Sequence, residues 1–570
     1  MEENLIEDMH QRIYDYLQQQ KELELADIEA NSLLTDEEKV EAGLLIKDAL
    51  VVKVCDNQYE LHTTEDNTKL RVGDSVKLSS CSFSDKAKII DLYLDGLSIE
   101  TSVALSVKDL VDIEVQEHMM LDPMLELLDG IREGYPGYSF LNLLAGKDVP
   151  RAKSLGAIDA RYVAIPKTLN TGQNRVVVDC LKRPSVYCLQ GPPGTGKTAV
   201  LSTIAQVYAS MRKEVLVISN THQAVNNALN KIAEQTGNFD VVKIGEKIKG
   251  EGLNKKIIKA GTYNNYLAYR KNSKKRMAPA DVVGMTLHAA IIHLGLRNSG
   301  FKPKIVLVDE AGQMPLAYAS LIGAFGCGSI IFIGDDKQMP PIFHPQLAEN
   351  PLSVSIFEYL CNRYPTLRHT LDVTYRMNDE ITDFISRNFY ESDENGIKLI
   401  SADSAKDRRL DVEGISQEPI QTIEVVPEES ELMEMECDVN VAEAEQAIEL
   451  ARKAIQGGIR LKDVAIVTPY RRQVKCIRTL WKTKFPKEKM PLINTVECLQ
   501  GQDVEIIILS FVLNARYGSM EAQLPFVLEK HRLNVMISRA KSKVLLLMSP
   551  DLNRCIPGIL KYLKSATYRV

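Results

Sequence analysis

No stretch constrains this chain more than Gly191-Pro192-Pro193-Gly194-Thr195-Gly196-Lys197-Thr198. It fits the pattern G-x-x-x-x-G-K-[ST]. Ser185-Val186-Tyr187-Cys188-Leu189 precedes it as a short apolar run, the pattern of a buried strand. From Ala199 to Met211 apolar residues follow at helical spacing. A strand, a glycine-rich turn and a helix N-terminus make a phosphate cradle: backbone N–H groups converge on the oxygens, and the helix dipole favours negative charge. The pattern puts Lys197 at the β- and γ-phosphates and the Thr198 hydroxyl on Mg²⁺. Chance produces such a match in a chain this long about 2 times in 100. A flexible Gly/Pro loop would need neither flank, so ATP or GTP with Mg²⁺ is the expected ligand.

The 570 residues have room for three or four domains. A net charge of −7 means that any surface for a polyanion must be local. The ten cysteines stand singly with no C-x-x-C pair. That argues against zinc modules, iron–sulfur ligation and a disulfide framework; it suits a reducing, cytoplasmic setting. The N-terminus Met1-Glu2-Glu3-Asn4 is acidic and has no signal-peptide core. The longest apolar run, Ile506 to Leu513, is too short to span a bilayer, so no membrane partner is expected.

Residues 1–48 read as helical, with Leu5, Met9, Ile13 and Leu17 on one face. Thr35-Asp36-Glu37-Glu38 has the form of a capped helix start. Residues 49–110 hold short β-type runs between turn signals, the pattern of a small barrel. Helical character returns over 111–156. Apolar strands then alternate with helices, the signature of a parallel sheet. Two such α/β domains are expected, 157–366 and 367–570, with a weakly marked linker near Phe357 to Pro365.

Lys304-Ile305-Val306-Leu307-Val308 reads as a buried strand carrying Asp309-Glu310-Ala311-Gly312 at its end. A P-loop ATPase needs a carboxylate there for Mg²⁺, which Asp309 fits; Glu310 is placed to deprotonate the attacking water. Taken alone, the pair is also compatible with an ordinary strand end. The strand Ile331-Phe332-Ile333 leads into Gly334-Asp335-Asp336-Lys337-Gln338-Met339-Pro340-Pro341, where Gln338 can face the γ-phosphate and the water.

Three later stretches complete an ordered set: Thr374-Tyr375-Arg376-Met377, Thr495 to Asp503, and Arg532 to Lys541. Together these motifs resemble superfamily 1 helicases, over roughly residues 165 to 545. The likeness is greatest to the branch containing the nonsense-mediated-decay helicase and senataxin. The resemblance implies an α/β fold: two RecA-like P-loop domains with parallel sheets, plus an N-terminal helical stalk carrying a small β-barrel. It implies that Gln173 hydrogen-bonds adenine, that Tyr375 stacks on it, and that Arg376 and Arg539 reach the γ-phosphate from the second domain. Gly501 and Asp503 fall in a nucleotide-contacting motif, but Asp503 stands where the family usually has Glu on the ribose. Asn220, Thr221, His222, Thr286, Thr468, Pro469, Tyr470 and Thr495 match nucleic-acid contacts, with hydroxyls and helix N-termini gripping phosphates. The implied protein is a nearly bare, monomeric ATP-driven motor moving 5′ to 3′ on single-stranded DNA or RNA. The alternative is a clamp that uses ATP to regulate single-strand binding without unwinding. A P-loop kinase or GTPase is disfavoured by the second arginine-bearing domain and by the lack of an N-K-x-D motif.

The net charge leaves one local candidate for the strand's grip. Between Lys243 and Arg276 stand eleven Lys/Arg against two Asp/Glu, with Tyr263, Tyr266 and Tyr269 among them. Read as a basic insert over about 236–280, it offers Lys256, Lys259, Lys274 and Lys275 to phosphates and a tyrosine to a base. The bland alternative is a solvated basic face with tyrosines packed beneath it.

Overall fold

The structure is a computed structural model. It describes all residues except 1–2, 56, 64–69, 71–74, 93–95, 116–120, 151–167, 183, 236–238, 246–251, 263, 267, 269–280, 294–300, 392–395, 427–437, 500–502, 514–519, 551, 553–566 and 570. The chain starts as one helix, Glu3–Leu33. It buries Met9, Ile13, Tyr16 and Leu17 against the helices Leu121–Asp129 and Tyr138–Ala145. The short helix Asp36–Glu41 follows, capped by Thr35 with Glu38 reaching back in a capping box.

Six antiparallel strands then close into a barrel: β1 (Leu45–Cys55), β2 (Gln58–His62), β3 (Ser75–Ser80), β4 (Phe83–Leu92), β5 (Gly96–Thr101) and β6 (Leu110–Val115), in the order β1-β2-β5-β4-β3-β6. Closure removes the exposed edges, and Val51, Leu61, Val76, Leu78, Ile99 and Ile113 fill the interior. The barrel is longer than the expected 49–110 at both ends. β1 begins at Leu45, inside the stretch read as helix. A register break between Ile46 and Ala49, with Asp48 at φ 51°, hides its alternation.

The first parallel sheet contains β7 (Val186–Gln190), β8 (Val215–Ser219), β9 (Asp240–Ile244), β10 (Ile258–Ala260), β11 (Asp281–Thr286), β12 (Ile305–Val308), β13 (Ile330–Gly334) and β14 (Arg368–Thr370). Their order is β10-β9-β11-β8-β12-β13-β7-β14. Helices cover both faces, which is why the central strands are continuous apolar runs. One face carries the N-terminal helices and Ile356–Arg363; the other carries Thr171–Leu181, Lys197–Ser210 and His222–Ala233.

Three expectations change here. The supposed linker near 357–365 is the helix Ile356–Arg363, with Phe357 and Leu360 buried in the core. The expected boundary at 366 falls before β14, which still pairs with β7. The supposed basic insert supplies β9 and β10 to the sheet itself, because Val241, Val242 and Ile244 are apolar enough to be buried.

The second parallel sheet has β17 (Ile420–Glu424), β18 (Val464–Val467), β19 (Leu492–Asn494), β20 (Val504–Ser510), β21 (Ala540–Met548) and β22 (Thr567–Arg569), in the order β19-β18-β20-β21-β17-β22. A small pair, β15 (Val373–Thr374) with β16 (Ile400–Ser401), lies between the two sheets in sequence. Helices Asp379–Ile385 and Lys530–Ser538 cover one face of the second sheet; Val441–Gln456 and Arg471–Lys484 cover the other, with Trp481 in the core. Among the described residues, no helix is long and apolar enough to cross a membrane.

Candidate nucleotide cleft

In open parallel sheets, ligands bind beyond the carboxyl ends of the strands. β7, β12 and β13 end side by side, and their loops line a cavity of 470 Å³. The second sheet contributes Asp503 and Arg539 to its wall, and Arg376 enters from the segment after β15.

β7 runs into the glycine-rich turn, and the helix Lys197–Ser210 leaves it. Gly194 has φ +73°, and a Cβ there would lie 2.4 Å from Arg376 Cβ and 2.5 Å from Thr374 Oγ1. Only glycine allows the segment around Arg376 to lie on the turn this closely. Thr374 Oγ1 donates to Pro193 O at 2.9 Å, and Tyr375 N donates to Gly194 O at 2.9 Å. Thr195 Oγ1 donates to Pro192 O, and Lys197 Nζ donates to Gly191 O.

Gln173 is buried at the third position of the helix Thr171–Leu181. Its Oε1 accepts from Asn170 N at 3.0 Å and its Nε2 donates to Thr195 O at 2.9 Å. It therefore braces the turn, and one amide hydrogen and one lone pair are left for a base. Asn170 Nδ2 donates to the Tyr375 hydroxyl at 2.9 Å, bringing that half-exposed ring to the same edge of the cleft.

Asp309 and Glu310 follow β12. Glu310 sits at φ 53°, an uncommon conformation for a side chain other than glycine, and its N–H donates to Asp309 Oδ1 at 3.1 Å. Burial, with the adjacent charge of Glu310, pushes the Asp309 carboxyl up to about 7; Lys197 opposes the shift. A Cβ on Gly334 would lie 2.6 Å from Gly312 N, so the turns after β12 and β13 touch backbone to backbone. This holds Gln338 beside the two carboxylates in the cavity wall.

Two guanidiniums face them. Arg376 pairs with Asp503 Oδ1 at 2.7 Å and donates to Ser538 O at 2.9 Å. Arg539 makes one long contact, Nη2 to Gln338 Oε1 at 3.4 Å. The Nε atoms of both are buried without a partner. Burial, and then the charge of Arg376, pushes Arg539 down to about 10. Together with Lys197 these are three cations around one cavity, and a polyanion between them satisfies all three. Thr198, Asp309 and Glu310 supply the hard oxygen donors that Mg²⁺ takes. The residues thus fit a magnesium–nucleoside triphosphate.

Asp503 lines the cavity as a partner of Arg376, and Gly501 lies outside the described residues. Asn220, Thr221, His222, Thr286, Thr468, Pro469, Tyr470 and Thr495, expected at nucleic acid, lie at the carboxyl ends of β8, β11, β18 and β19. Thr221 is exposed, caps His222–Ala233 and reaches the nucleotide cavity. Asn220 donates to Gln313 O at 2.6 Å, in the turn after Glu310. His222 is half-buried in the first turn of that helix, and Tyr470 is half-buried with its ring 5.6 Å from Phe526. Thr286, Thr468, Pro469 and Thr495 are buried. Thr286 Oγ1 caps the helix Leu287–Ile292 by accepting from Ala289 N at 3.3 Å, and Thr468 Oγ1 accepts from Tyr470 N at 3.4 Å.

Of the basic stretch, Lys256 and Lys259 are exposed; Lys274 and Lys275, with Tyr263 and Tyr269, lie outside the described residues. Tyr266 is core rather than a stacking platform: it is fully buried and donates to Asp281 Oδ1 at 2.8 Å. Sequence reasoning missed the roles of Thr374 and Asp335. Both stand inside motifs already singled out, next to the residues that drew attention.

The glycine-rich cradle, the paired carboxylates, Arg539 from the second sheet and Arg376 from the segment after β15 define a P-loop nucleotide hydrolase built of two parallel α/β units. Two family models, both described as AAA domain, match residues 173–344 and 352–551. Among similar proteins is an uncharacterized ATP-dependent helicase of Methanocaldococcus jannaschii, 25% identical over 485 residues, 69% of this chain and 70% of that one. The DNA polymerase alpha-associated DNA helicase A of Schizosaccharomyces pombe is 29% identical over 510 residues, 78% of this chain and 74% of that one. The DNA replication ATP-dependent helicase/nuclease DNA2 of Bos taurus is 28% identical over 426 residues, 70% of this chain but 38% of that one. The chain thus spans well under half of that relative. The crystal structure of the arterivirus nonstructural protein 10 helicase aligns with 92% of this chain and 82% of its own, at 10% identity and a TM-score of 0.40, too remote to bear on the assignment. Together, the two domain models and the helicases among its relatives indicate a superfamily 1 helicase, an ATP-hydrolysing enzyme of the type that includes the nonsense-mediated-decay helicase, senataxin and DNA2.

Proposed function

We propose that the protein is an ATP-driven translocase that moves 5′ to 3′ on a nucleic-acid single strand. Its two parallel sheets are the RecA-like motor domains; the helix Glu3–Leu33 and the barrel are the stalk and its appended domain. The observation that carries this reading is the buried Arg539 and the half-buried Arg376, each with an unpartnered Nε, lining one cavity with the glycine-rich turn. Such a pair matters only when the two units close on a triphosphate.

In this mechanism the turn and Lys197 hold the phosphates. Tyr375 and Gln173 flank the adenine. Thr198 and Asp309 would hold Mg²⁺, which when bound offsets phosphate charge. Glu310 takes the proton of the attacking water, and Gln338 orients that water. Arg376 and Arg539 stabilise the charge that spreads over the γ-phosphoryl oxygens, a contribution worth ~10³–10⁵ in rate for arginines of this kind. Arg376 must first exchange Asp503 for phosphate.

The strand crosses the carboxyl ends of β8, β11, β18 and β19. Backbone N–H groups at the starts of His222–Ala233 and Arg471–Lys484 receive its phosphates, and Lys256, Lys259, Lys274 and Lys275 add charge. Asn220 links that path to the turn after Glu310. The names of the relatives favour DNA over RNA as the strand. Measuring ATP turnover with single-stranded DNA and with RNA of the same sequence, side by side, tests this. Strong stimulation by DNA is expected; stimulation by RNA alone reverses the substrate, and none by either removes the motor reading.

A further inference from the structure

Asp335 leaves β13 into a buried position between the two sheets. Its Oδ2 accepts two hydrogen bonds, from Gln338 Nε2 at 2.6 Å and from the Tyr390 hydroxyl at 2.6 Å; its Oδ1 accepts from Lys337 N at 3.2 Å. Asn534 Nδ2 donates to the Tyr390 hydroxyl at 3.1 Å and to Lys337 O at 2.7 Å. Gln338 Oε1 faces Arg539 Nη2 at 3.4 Å. Asn534 lies in the helix Lys530–Ser538, and Arg539 caps that helix. The contacts therefore close a ring, from Tyr390 through Asp335, Gln338 and Arg539 along the helix to Asn534 and back to Tyr390.

The ring crosses from one α/β unit to the other at Tyr390–Asp335, at Asn534–Lys337 and at Gln338–Arg539. Tyr390 reaches it by an irregularity in its own helix. Ser386–Tyr390 is a π-turn continuing Asp379–Ile385, with Glu391 N donating to Ser386 O at 2.8 Å, five residues back. One extra residue turns whatever follows by about 100° relative to an α-helix, and such turns collect at functional sites.

The chemistry of the ring says what it does. A carboxylate accepts from both the amide and the phenol, so Gln338 must present its Nε2 to Asp335 and its Oε1 to Arg539. Without the Tyr390 hydroxyl, Asp335 loses one of two donors to the same oxygen, and the Gln338 amide loses its fixed orientation. Parting the two units breaks all three crossings together, and Asp335 keeps only the donors of its own unit, Gln338 Nε2 and Lys337 N.

We propose that Tyr390 and Asn534 are positioning residues for ATP hydrolysis, setting the Gln338 amide and through it the aim of Arg539 at the γ-phosphate. This rests on the ATPase reading above.

The test measures steady-state ATP turnover with saturating oligothymidylate for Tyr390→Phe, Asn534→Ser and Gln338→Ala, and for Tyr390→Phe combined with Gln338→Ala, with Glu310→Gln alongside. Loss of a hydrogen bond to a charged acceptor predicts a kcat reduced about 10- to 100-fold for Tyr390→Phe, with the KM for ATP within about threefold of wild type. In the Gln338→Ala background, Tyr390→Phe should cost little more, because both act on one orientation. A wild-type kcat for both Tyr390→Phe and Asn534→Ser overturns the inference. So do effects that multiply independently in the double variant, or a KM that rises in step with the lost kcat. Normal turnover by Glu310→Gln would instead remove the ATPase assignment on which the inference stands.

Discussion

Arg539→Met should raise the stability of the nucleotide-free protein while nearly abolishing turnover. Arg539 is buried, its Nε has no partner, and among the described residues its side chain makes one hydrogen bond, the 3.4 Å approach to Gln338. The drop of the guanidinium from its ordinary value to about 10 corresponds to about 3 kcal/mol against holding the charge in the empty cleft. Methionine keeps most of the length and removes the charge. Losing the long contact to Gln338 gives back about 0.5–1 kcal/mol. The net gain of about 2 kcal/mol should lift Tm by roughly 4–8 °C for a domain of this size. Turnover should fall ~10³–10⁵-fold, since this charge acts when phosphoryl charge develops. Thermal melts with and without a non-hydrolysable ATP analogue check both halves: the variant should melt higher without nucleotide, and the analogue should stabilise wild type more. A variant that melts lower without nucleotide, or hydrolyses within tenfold of wild type, refutes the reasoning.

Glu310→Gln should bind ATP with wild-type affinity and turn over almost none of it, because cradle and metal donors remain while the base is lost; near-normal turnover removes Glu310 from the chemistry. Replacing Lys256, Lys259, Lys274 and Lys275 with Gln should weaken single-strand binding, and each lost phosphate contact should flatten the salt slope by about 0.7. An unchanged slope in a salt titration means that these lysines only face solvent. Glu443 accepts from Ser510 Oγ at 2.7 Å and Val512 N at 2.9 Å, and burial pushes its carboxyl from 4.5 up to about 7. The folded state then keeps a proton the unfolded chain releases, so this stability is present below pH 4.5 and lost as pH rises through about 7. Between pH 5 and 8 wild type should lose about 2.5 kcal/mol relative to Glu443→Gln; parallel melting curves for the two proteins across that range contradict it.

The cleft was legible where function depends on short segments. Lys197, Asp309 and Gln338 each follow an apolar run that can only be a central strand, so the end of the strand and its chemistry appear together. Arg376 and Arg539 were legible through the resemblance alone, since nothing local marks an arginine as one that crosses to another domain. Features made by distant contacts stayed hidden. Asp335, Tyr390 and Asn534 are far apart in sequence, and the π-turn that brings Tyr390 to Asp335 leaves no periodicity. Asp503 read as an odd substitution because its partner, Arg376, lies in another motif. Phe357 and Leu360 were passed over because a helix of eight residues between polar flanks shows little more than two turns of pattern. Tyr266 looked available because it stands in a basic stretch; its burial depends on Asp281, at the start of another strand. The start of β1, Leu45 to Asp48, was hidden by a bulge, which shifts the face of the residues after it.

The central claim is that ATP turnover drives movement along a single strand. Strand displacement from duplexes carrying a 5′ or a 3′ single-stranded tail, with ATP, with a non-hydrolysable analogue, and with Glu310→Gln, tests it most directly. Release of the displaced strand from the 5′-tailed duplex alone, requiring both ATP and Glu310, is the predicted result. Stimulated ATP turnover with no displacement from either duplex would contradict the account and leave a nucleotide-regulated clamp.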